Sequence, residues 1–551
     1  MRSFNFAAVA LIAATAGCTD KAYDPNAPAI DPNAPRIHIT SPARGTIAGD
    51  VHTVTVTGTA TDDTAVASVT VNDVPATVAA DGSWSVDVPV TAGTNLLHAI
   101  AKDAQGNAGK ESRAVVAGPM ANLAQAVPQA ITATLSAQTF QAIGKGTAGF
   151  LTQGDLAPMV ASSNPVWDLG GGPDCLYVQA SITSVTFGAA DVTLAPQDGG
   201  LWLDVELDNA NIGMHLDYAA ACVDGSRDIT IGASHISVSG NMTVGVAGRD
   251  FDIHLDSPNV NITGFNVELG GIPGAIVDML HLDTAVGPLV GWATEKFVVP
   301  MLNKSLAGLN STKTINVMGT MVDVDMKPDD IQFSNAGAIV VLDSSLRAHG
   351  DSGQYVFTDN TQPAMDLTHG FQMAVADDAA NQLFTSLWSA KALDKTIDLT
   401  NGSYGEIGKL YDSVEVSAAV PPFVDASGQG LVLTVGDLMA TFKNGGSIVT
   451  NVAINAQVDL KVATNADGSL RFDVGTPTTY VDVLDDASVD GANQLSNSDF
   501  EAIASFALSR VIAVGSGSLA AVPLPSVGGV SLQNLTVAEQ TGYLVVDGEV
   551  Q

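Results

Sequence analysis

Long stretches of this chain alternate apolar and polar residues, which is the pattern of a β-strand with one buried and one solvated face. Between 201 and 208, leucines and a valine on one side alternate with tryptophan and acidic residues on the other. The same alternation returns at 251–255 and at 452–460. We therefore expect antiparallel sheets whose apolar faces enclose an interior.

Four other segments repeat apolar residues at intervals of three or four, which predicts helices. They cover about 122–151, about 284–309, a segment that begins at Asp377 or Asp378, and a segment that follows Ser498-Asp499. The first segment carries, at a spacing of four, Leu123, Val127, Ile131 and Leu135. The two aspartates of the third are good helix-capping residues. The order of helix, strands and helix occurs twice, over roughly 121–309 and 371–514, which predicts an α+β body made of two similar halves.

Residues 37–118 contain short alternating strands separated by turn signals, which is typical of a β-sandwich. The segment resembles the bacterial immunoglobulin-like modules of secreted and surface proteins. The residues that carry this resemblance are Val71-Asn72-Asp73, Asp81-Gly82-Ser83-Trp84, Gly93-Thr94-Asn95 and 101–107. Such modules are usually spacers and sometimes contact a glycan or calcium. The possible calcium ligands are Asp62, Asp63, Asp73 and Asp103, and the alternative is that they stabilise turns.

The N-terminus has the features of a targeting segment. Arg2 precedes an apolar run from Phe6 to Ala16 that is too short to span a bilayer. Small residues then lead into Cys18, and this arrangement resembles the bacterial lipoprotein signal, in which the cysteine is lipidated. The resemblance implies that residues 1–18 are the signal and that Cys18 becomes the anchor; an ordinary secretory signal is the alternative. The proline-rich segment 19–36 predicts an extended tether.

The remaining cysteines, Cys175 and Cys222, each lie beside a turn signal. An even pair in an oxidising compartment predicts a disulfide, which would stabilise the fold by restricting the unfolded chain. Two buried free thiols are the alternative.

Composition narrows the classes of function. The chain has 58 acidic and 22 basic residues, a net charge of −36, and 46% apolar residues. This balance argues against binding of nucleic acid and against adhesion to an anionic membrane through charge. The sequence contains no nucleophile elbow, His-Glu-x-x-His motif, phosphate-binding loop or paired-cysteine metal motif, and its histidines are scattered. We therefore assign no catalytic residue, metal ligand or cofactor, and we do not expect an enzyme.

Three stretches resemble the family of bactericidal/permeability-increasing protein and the plasma lipid-transfer proteins, part of the tubular lipid-binding superfamily. They are 522–546, 371–388 and 414–438. The resemblance implies an α+β fold of two elongated antiparallel barrels, 119–345 and 346–551, each with long helices that close an apolar tube. It also places the Cys175 and Cys222 pair where the disulfide of the family's N-terminal barrel falls.

In this interpretation the tube holds lipid acyl chains, because each buried CH₂ contributes about 0.8 kcal/mol. The helical residues expected to line it are Phe140, Ile143, Leu289, Trp292, Phe297, Leu383, Leu387 and Trp388. Filling a solid core is the alternative for each of these residues. Family members that capture lipopolysaccharide present cations to its phosphates, whereas this body is acidic, so we expect little selection for a charged headgroup.

These observations together predict a lipoprotein of the bacterial envelope that binds or shuttles phospholipid or another acyl-chain lipid. Thr19, rather than aspartate, follows Cys18, which resembles lipoproteins sent to the outer membrane. The alternative is a structural or adhesive surface protein whose immunoglobulin-like module binds a glycan or a protein.

Overall fold

The computed structural model describes most of the chain between residues 34 and 550. The described residues are 34–63, 65–161, 164–170, 176–280, 299–300, 302–358, 361–368, 370–400, 407–426, 430–464, 470–484, 498–504 and 532–550. Contacts divide the chain into two compact units. Among the described residues, the first comprises 34–41, Val56–Val86 and His98–Glu111, and the second comprises Pro42–Thr55, Asp87–Leu97 and those from Ser112 onward.

Residues 36–117 form two sheets of short strands, with the orders β1-β3-β7-β6 and β2-β9-β8-β4-β5. The strands are β1 (Arg36–Ser41), β2 (Thr46–Gly49), β3 (Thr53–Thr61), β4 (Val66–Val71), β5 (Val74–Pro75), β6 (Thr77–Val78), β7 (Ser83–Pro89), β8 (Gly93–Asp103) and β9 (Ala108–Ala117). Alternation along β7 buries Trp84 and Val86. A Cβ atom on Gly58 would lie 2.4 Å from Cζ2 of Trp84, so this contact requires glycine.

A seven-stranded central sheet contains strands from both halves of the rest of the chain, in the order β19-β20-β21-β11-β23-β32-β31. The strands are β11 (Val127–Ser136), β19 (Ser311–Val317), β20 (Thr320–Ser334), β21 (Gly337–Ala348), β23 (Phe371–Ala376), β31 (Leu532–Gln540) and β32 (Tyr543–Val550). Beside it, β10 (Met120–Asn122) pairs with β22 (Gln354–Val356). At the middle of the central sheet β11 and β23 run antiparallel, with Ile131 opposite Val375.

Two further sheets, one from each half, are antiparallel and contain the longest strands. The first large sheet consists of β12 (Trp167–Gly170), β13 (Tyr177–Thr186), β14 (Ala189–Gln197), β15 (Gly200–Ala220), β16 (Val223–Ala247), β17 (Asp250–Thr263) and β18 (Asn266–Glu268). The second large sheet consists of β24 (Lys395–Asp398), β25 (Ser413–Ala418), β26 (Phe423–Asp425), β27 (Leu431–Asn444), β28 (Ser447–Thr464), β29 (Leu470–Val474) and β30 (Thr478–Leu484). The alternation predicted at 201–208, 251–255 and 452–460 therefore lies on strands, as expected.

The described helices are few and short. They are α1 (Ala137–Gln153), α2 (Ala157–Ala161), α3 (Gly274–Leu280), α4 (Asp377–Ser389) and α5 (Ile407–Leu410), with a 3₁₀ turn at Ala307–Leu309. Residues 302–306 and 498–504 are also helical. Strand β11 leads directly into α1, and β23 leads directly into α4, so each half begins with the same strand–helix step.

The predicted fold class, α+β with two elongated barrels that each carry long helices, is wrong. The protein is built mainly of stacked β-sheets, as in β-sandwiches, and the longest helix with described bounds, α1, has 17 residues. Part of the error is physical: a spacing of four residues fits a helix, but it is also twice the two-residue period of a strand. The pattern therefore predicts a helix for Val127, Ile131 and Leu135, although these residues lie in β11.

Two apolar cores follow from this arrangement. One joins the first large sheet, α1 and the central sheet, and the other lies on the second large sheet with residues 498–504 packed against it. The predicted helix at 284–309 lies largely outside the described residues, and only 299–300 and 302–309 of it are described.

Candidate functional site

The residues predicted to line a lipid tube fall into three groups. Phe140 and Ile143 on α1, and Leu383 and Leu387 on α4, are buried members of the larger core. Trp388 is half-buried, and its indole N–H donates a hydrogen bond of 2.8 Å to the carbonyl of Ala418. Leu289, Trp292 and Phe297 lie outside the described residues. The lining role of these eight residues stays a prediction.

Helix α1 packs tightly over the first large sheet. A Cβ atom on Gly144 would lie 2.3 Å from the carbonyl oxygen of Val192 in β14, so the helix backbone approaches the strand where only glycine fits. The ring of Phe140 lies 5.8 Å from that of Phe333 in the central sheet. Phe140 is 1% exposed, as expected for a side chain enclosed on all sides.

Helix α4 connects three parts of the fold through buried polar side chains. Asn381 exchanges two hydrogen bonds of 2.8 Å with the backbone of Val424 in β26. Gln382 accepts a 2.7 Å hydrogen bond from the amide of Leu346 in β21 and donates a 2.8 Å bond to the carbonyl of Gln125. The Ser386 hydroxyl accepts a 2.6 Å bond from the amide of Ala348. These side chains satisfy backbone groups that adjoining strands leave unpaired.

The two aspartates at the start of α4 accept hydrogen bonds from neighbouring loops. The N-cap residue is Ala376, and Asp377 and Asp378 lie in the first turn. Asp377 accepts a 2.9 Å hydrogen bond from the amide of Ala426, and Asp378 accepts bonds from the amide and hydroxyl of Thr358. Both carboxylates also complement the positive end of the helix dipole. Burial, with a contribution from the charge of Asp378, raises the pKa of Tyr355.

Inward aliphatic side chains are buried on the central sheet and on both large sheets, with small differences in residual exposure. In the central sheet Val340 and Leu342 are 0% exposed, as expected for a close-packed interior. In the core of the second large sheet, Val435 and Ile454 keep 8% and 9% of their surface exposed. In the first large sheet, Ile253 keeps 6%. Aliphatic side chains therefore form the inner faces of both large sheets.

Sequence reasoning did not single out these strand residues. Alternation at 452–460 predicted that Ile454 points inward, but alternation does not show what packs over an inward residue.

Aromatic rings pack together in the second core. Tyr411 and Phe442 lie 4.8 Å apart, and Phe442 and Phe500 lie 5.3 Å apart. Burial raises the pKa of Tyr411.

A buried ionic cluster lies beside the second large sheet, within the second unit. Arg44 forms ion pairs with Asp437 on β27 and with Asp482 on β30. Burial lowers the pKa of the Arg44 guanidinium, but the two carboxylates raise it by more, so its pKa lies above the ordinary value.

The outer face of the first large sheet carries histidines paired with carboxylates. His235 lies 2.7 Å from Glu206 and 2.8 Å from Asp208, and His215 lies 2.6 Å from Asp228. The hydrogen bonds to Asp208 and to Asp228 raise the pKa of His235 and of His215, respectively. Among the described residues, no group of three or more His, Cys, Asp or Glu side chains is arranged to hold a metal ion.

Two of the aspartates considered as calcium ligands accept hydrogen bonds within turns. Asp103 accepts hydrogen bonds from the amides of Gln105 and Asn107, and Asp62 accepts one from the amide of Ala65. These are the local bonds by which aspartate stabilises a turn.

The predicted roles of the cysteines rest partly on residues that are not described. Cys222 is disulfide-bonded, whereas Cys175 and Cys18 lie outside the described residues. The 175–222 pairing and the lipidation of Cys18 stay predictions. Within the described part of the chain, the helices are too short or too polar to cross a bilayer.

Comparison with known proteins addresses the N-terminal module most directly. Residues 35–118 match the family model of glucodextranase, domain B. This module is immunoglobulin-like and all-β. No match was found among the curated proteins.

The solved structures give weak similarities over most of the chain. The crystal structure of lipopolysaccharide binding protein is 14% identical, covers 77% of this chain and 99% of its own, and has a TM-score of 0.37. The structure of P47 from Clostridium botulinum A2 is 8% identical, covers 77% of this chain and 98% of its own, and has a TM-score of 0.29.

Proposed function

We propose that this protein binds the acyl chains of lipids against the inner faces of its two large sheets. The observation that carries the proposal is the aliphatic inner face of each large sheet, which includes Ile253 in the first and Val435 and Ile454 in the second. Space lined by aliphatic groups excludes polar ligands, because a polar group there would lose its hydrogen bonds to water. An acyl chain gains about 0.8 kcal/mol for each CH₂ it buries.

The charge of the chain indicates which lipids fit. With a net charge of −36, the protein repels polyanionic headgroups and lacks the excess of cations needed to pair with several phosphates. We therefore expect zwitterionic or neutral lipids, selected by their chains more than by their headgroups.

We also propose that the protein is a lipoprotein of the bacterial envelope, anchored through Cys18. The sequence between Arg2 and Cys18 supports this proposal, and the proline-rich segment 19–36 would separate the folded units from the membrane.

Native mass spectrometry of the purified protein, combined with lipid extraction, tests the binding proposal. We expect phospholipid or another acyl lipid in a fixed ratio to protein. A protein that purifies without lipid, and that takes up none from phosphatidylcholine vesicles, would contradict the proposal. That result would favour a structural or adhesive protein that acts through its immunoglobulin-like module.

A further inference from the structure

Arg44 occupies a position that connects the family-matched region to the second large sheet. It lies in Pro42–Thr55, one of the segments of that region which belong to the second unit. Its guanidinium donates hydrogen bonds through Nη1 to Asp437 Oδ1, at 2.5 Å, and through Nη2 to Asp482 Oδ2, at 3.1 Å. One planar cation thus bridges two strands of the sheet, β27 and β30.

The two carboxylates also bind the backbone of β9. Asp482 Oδ2 accepts a 3.0 Å hydrogen bond from the amide of Ser112, and Asp437 Oδ2 accepts a 3.2 Å bond from the amide of Ala114. Arg44 in turn donates a 3.0 Å bond to the carbonyl of Ser112. Because Asp437 is 0% exposed, its charge depends on these partners and water does not replace them.

Asp437 lies at an irregularity in β27. The register between β27 and β28 shifts between Val435 and Leu438, and the backbone of Asp437 has a φ of +41°, which non-glycine residues rarely adopt. The amide of Asp437 donates a 2.8 Å hydrogen bond to Asn455 Oδ1 on β28. A strained residue of this kind persists only where its surroundings hold it, and here those surroundings include Arg44.

Residues of the candidate lipid-binding face lie next to this irregularity. Val435 precedes Asp437 by two positions in β27, and Ile454 precedes Asn455 in β28. Contacts at Gly436 leave little freedom, because a Cβ atom there would lie 2.4 Å from the Cβ of Ala114. The position of Val435 and Ile454 is therefore tied to the bulge that Arg44 holds.

We infer that Arg44 is a positioning residue for the acyl-binding face of the second large sheet. The inference rests on the proposed function, and it assigns the N-terminal region a role beyond that of a spacer. Through the bulge at Asp437, Arg44 sets the positions of Val435 and Ile454, whereas the position of Ile253 in the first large sheet does not depend on it.

A double-mutant cycle on binding affinity tests this difference. Delipidated protein is titrated with pyrene-labelled phosphatidylcholine, and Arg44→Met is combined with Val435→Phe and, as the control pair, with Ile253→Phe. We expect Arg44→Met alone to weaken binding on the order of fivefold. In the double mutant with Val435→Phe, the fold loss of affinity should be smaller, by about threefold or more, than the product of the two single-mutant losses. In the double mutant with Ile253→Phe, the fold loss should equal that product. General loss of stability would change both pairs alike.

Hydrogen exchange provides a readout that does not need lipid. In Arg44→Met the amides of 436–438 should exchange faster, and those of β15 should not. If the wild type binds no probe, the proposed function fails, and the exchange result alone decides whether Arg44 holds the bulge. If Arg44→Met does not fold, Asp482→Asn is used in both experiments instead, because that change keeps the ion pair between Arg44 and Asp437. Unchanged affinity and unchanged exchange, or equal coupling in both pairs, would overturn the inference.

Discussion

Two buried aliphatic side chains should respond differently to enlargement if lipid lies against the second large sheet. Val435 belongs to the core of that sheet, and Leu387 on α4 belongs to the larger core. Val435→Phe should occupy the volume that an acyl chain uses, so bound lipid per folded protein should fall by about half or more, with little loss of stability. Leu387→Trp should overpack its surroundings and lower the free energy of unfolding by about 1–3 kcal/mol, with lipid content unchanged.

Native mass spectrometry measures the lipid, and thermal melting after delipidation measures the stability, because bound ligand itself raises the melting temperature. Loss of lipid in Leu387→Trp without loss of stability would place the lipid beside α4 instead. Equal lipid content in the Val435→Phe protein and the wild type would remove Val435 from the lining.

The paired histidine on the outer face gives a pH dependence with a definite sign. The hydrogen bond to Asp208, with a contribution from Glu206, raises the folded-state pKa of His235 above its unfolded value of about 6.5. The stabilisation is therefore complete below about pH 6.5 and is lost as the pH rises through the folded-state pKa. His235→Gln should make the melting temperature fall less steeply between about pH 6 and pH 8, as measured by circular dichroism.

His98 supplies a comparison of opposite sign. Burial lowers the pKa of His98, so its contribution to the free energy of unfolding is lost as the pH falls. His98→Gln should raise the melting temperature at about pH 5.5 relative to the wild type. A melting profile of His235→Gln that runs parallel to the wild type across this range would contradict the assignment of His235.

At the scale of elements, α4 is joined to two sheets by hydrogen bonds from its polar side chains as well as by its apolar residues. Asn381→Leu would leave the buried amide and carbonyl of Val424 without their partner, which costs about 1–3 kcal/mol for each unsatisfied group. Urea denaturation should show this loss. Ser389→Ala, at an exposed position of the same helix, is the matched control and should change stability by less than about 0.5 kcal/mol. Equal stability of the two variants would show that α4 is held by its apolar residues alone.

Elements with an unambiguous period were predictable from the sequence, and those with an ambiguous period were not. The alternation at 201–208 identifies β15 because aliphatic residues alternate there with tryptophan and acidic residues. The helix predicted to begin at Asp377 or Asp378 is confirmed by α4, which begins at Asp377. Leu123, Val127, Ile131 and Leu135 fit both periods, and polar Ser136, which caps α1, marks where the helix begins.

The candidate site was predictable only in its chemistry. Apolar residues on one face were expected on the strands of both large sheets, but whether a layer is filled depends on what packs over it. Phe140 and Leu387 lie on helices and Val435 lies on a strand, and in each case the sequence indicates an apolar interior residue without indicating what packs over it. The bridge from Arg44 to Asp437 and Asp482 joins residues far apart in the chain, so no local pattern indicates it.

At the scale of the whole molecule, the proposed attachment depends on a single thiol. A lipidated Cys18 would insert acyl chains into the membrane, whereas the net charge of −36 opposes binding to an anionic surface. In bacterial cells, Cys18→Ser should therefore move the protein from the detergent-soluble membrane fraction to the soluble fraction, as measured by immunoblotting of fractionated cells. Thr19→Ser is the control, because it keeps the thiol and should leave the protein in the membrane fraction. If Cys18→Ser stays in the membrane fraction and still needs detergent for release, the anchor lies elsewhere, and residues 1–18 act as an ordinary secretory signal or not at all.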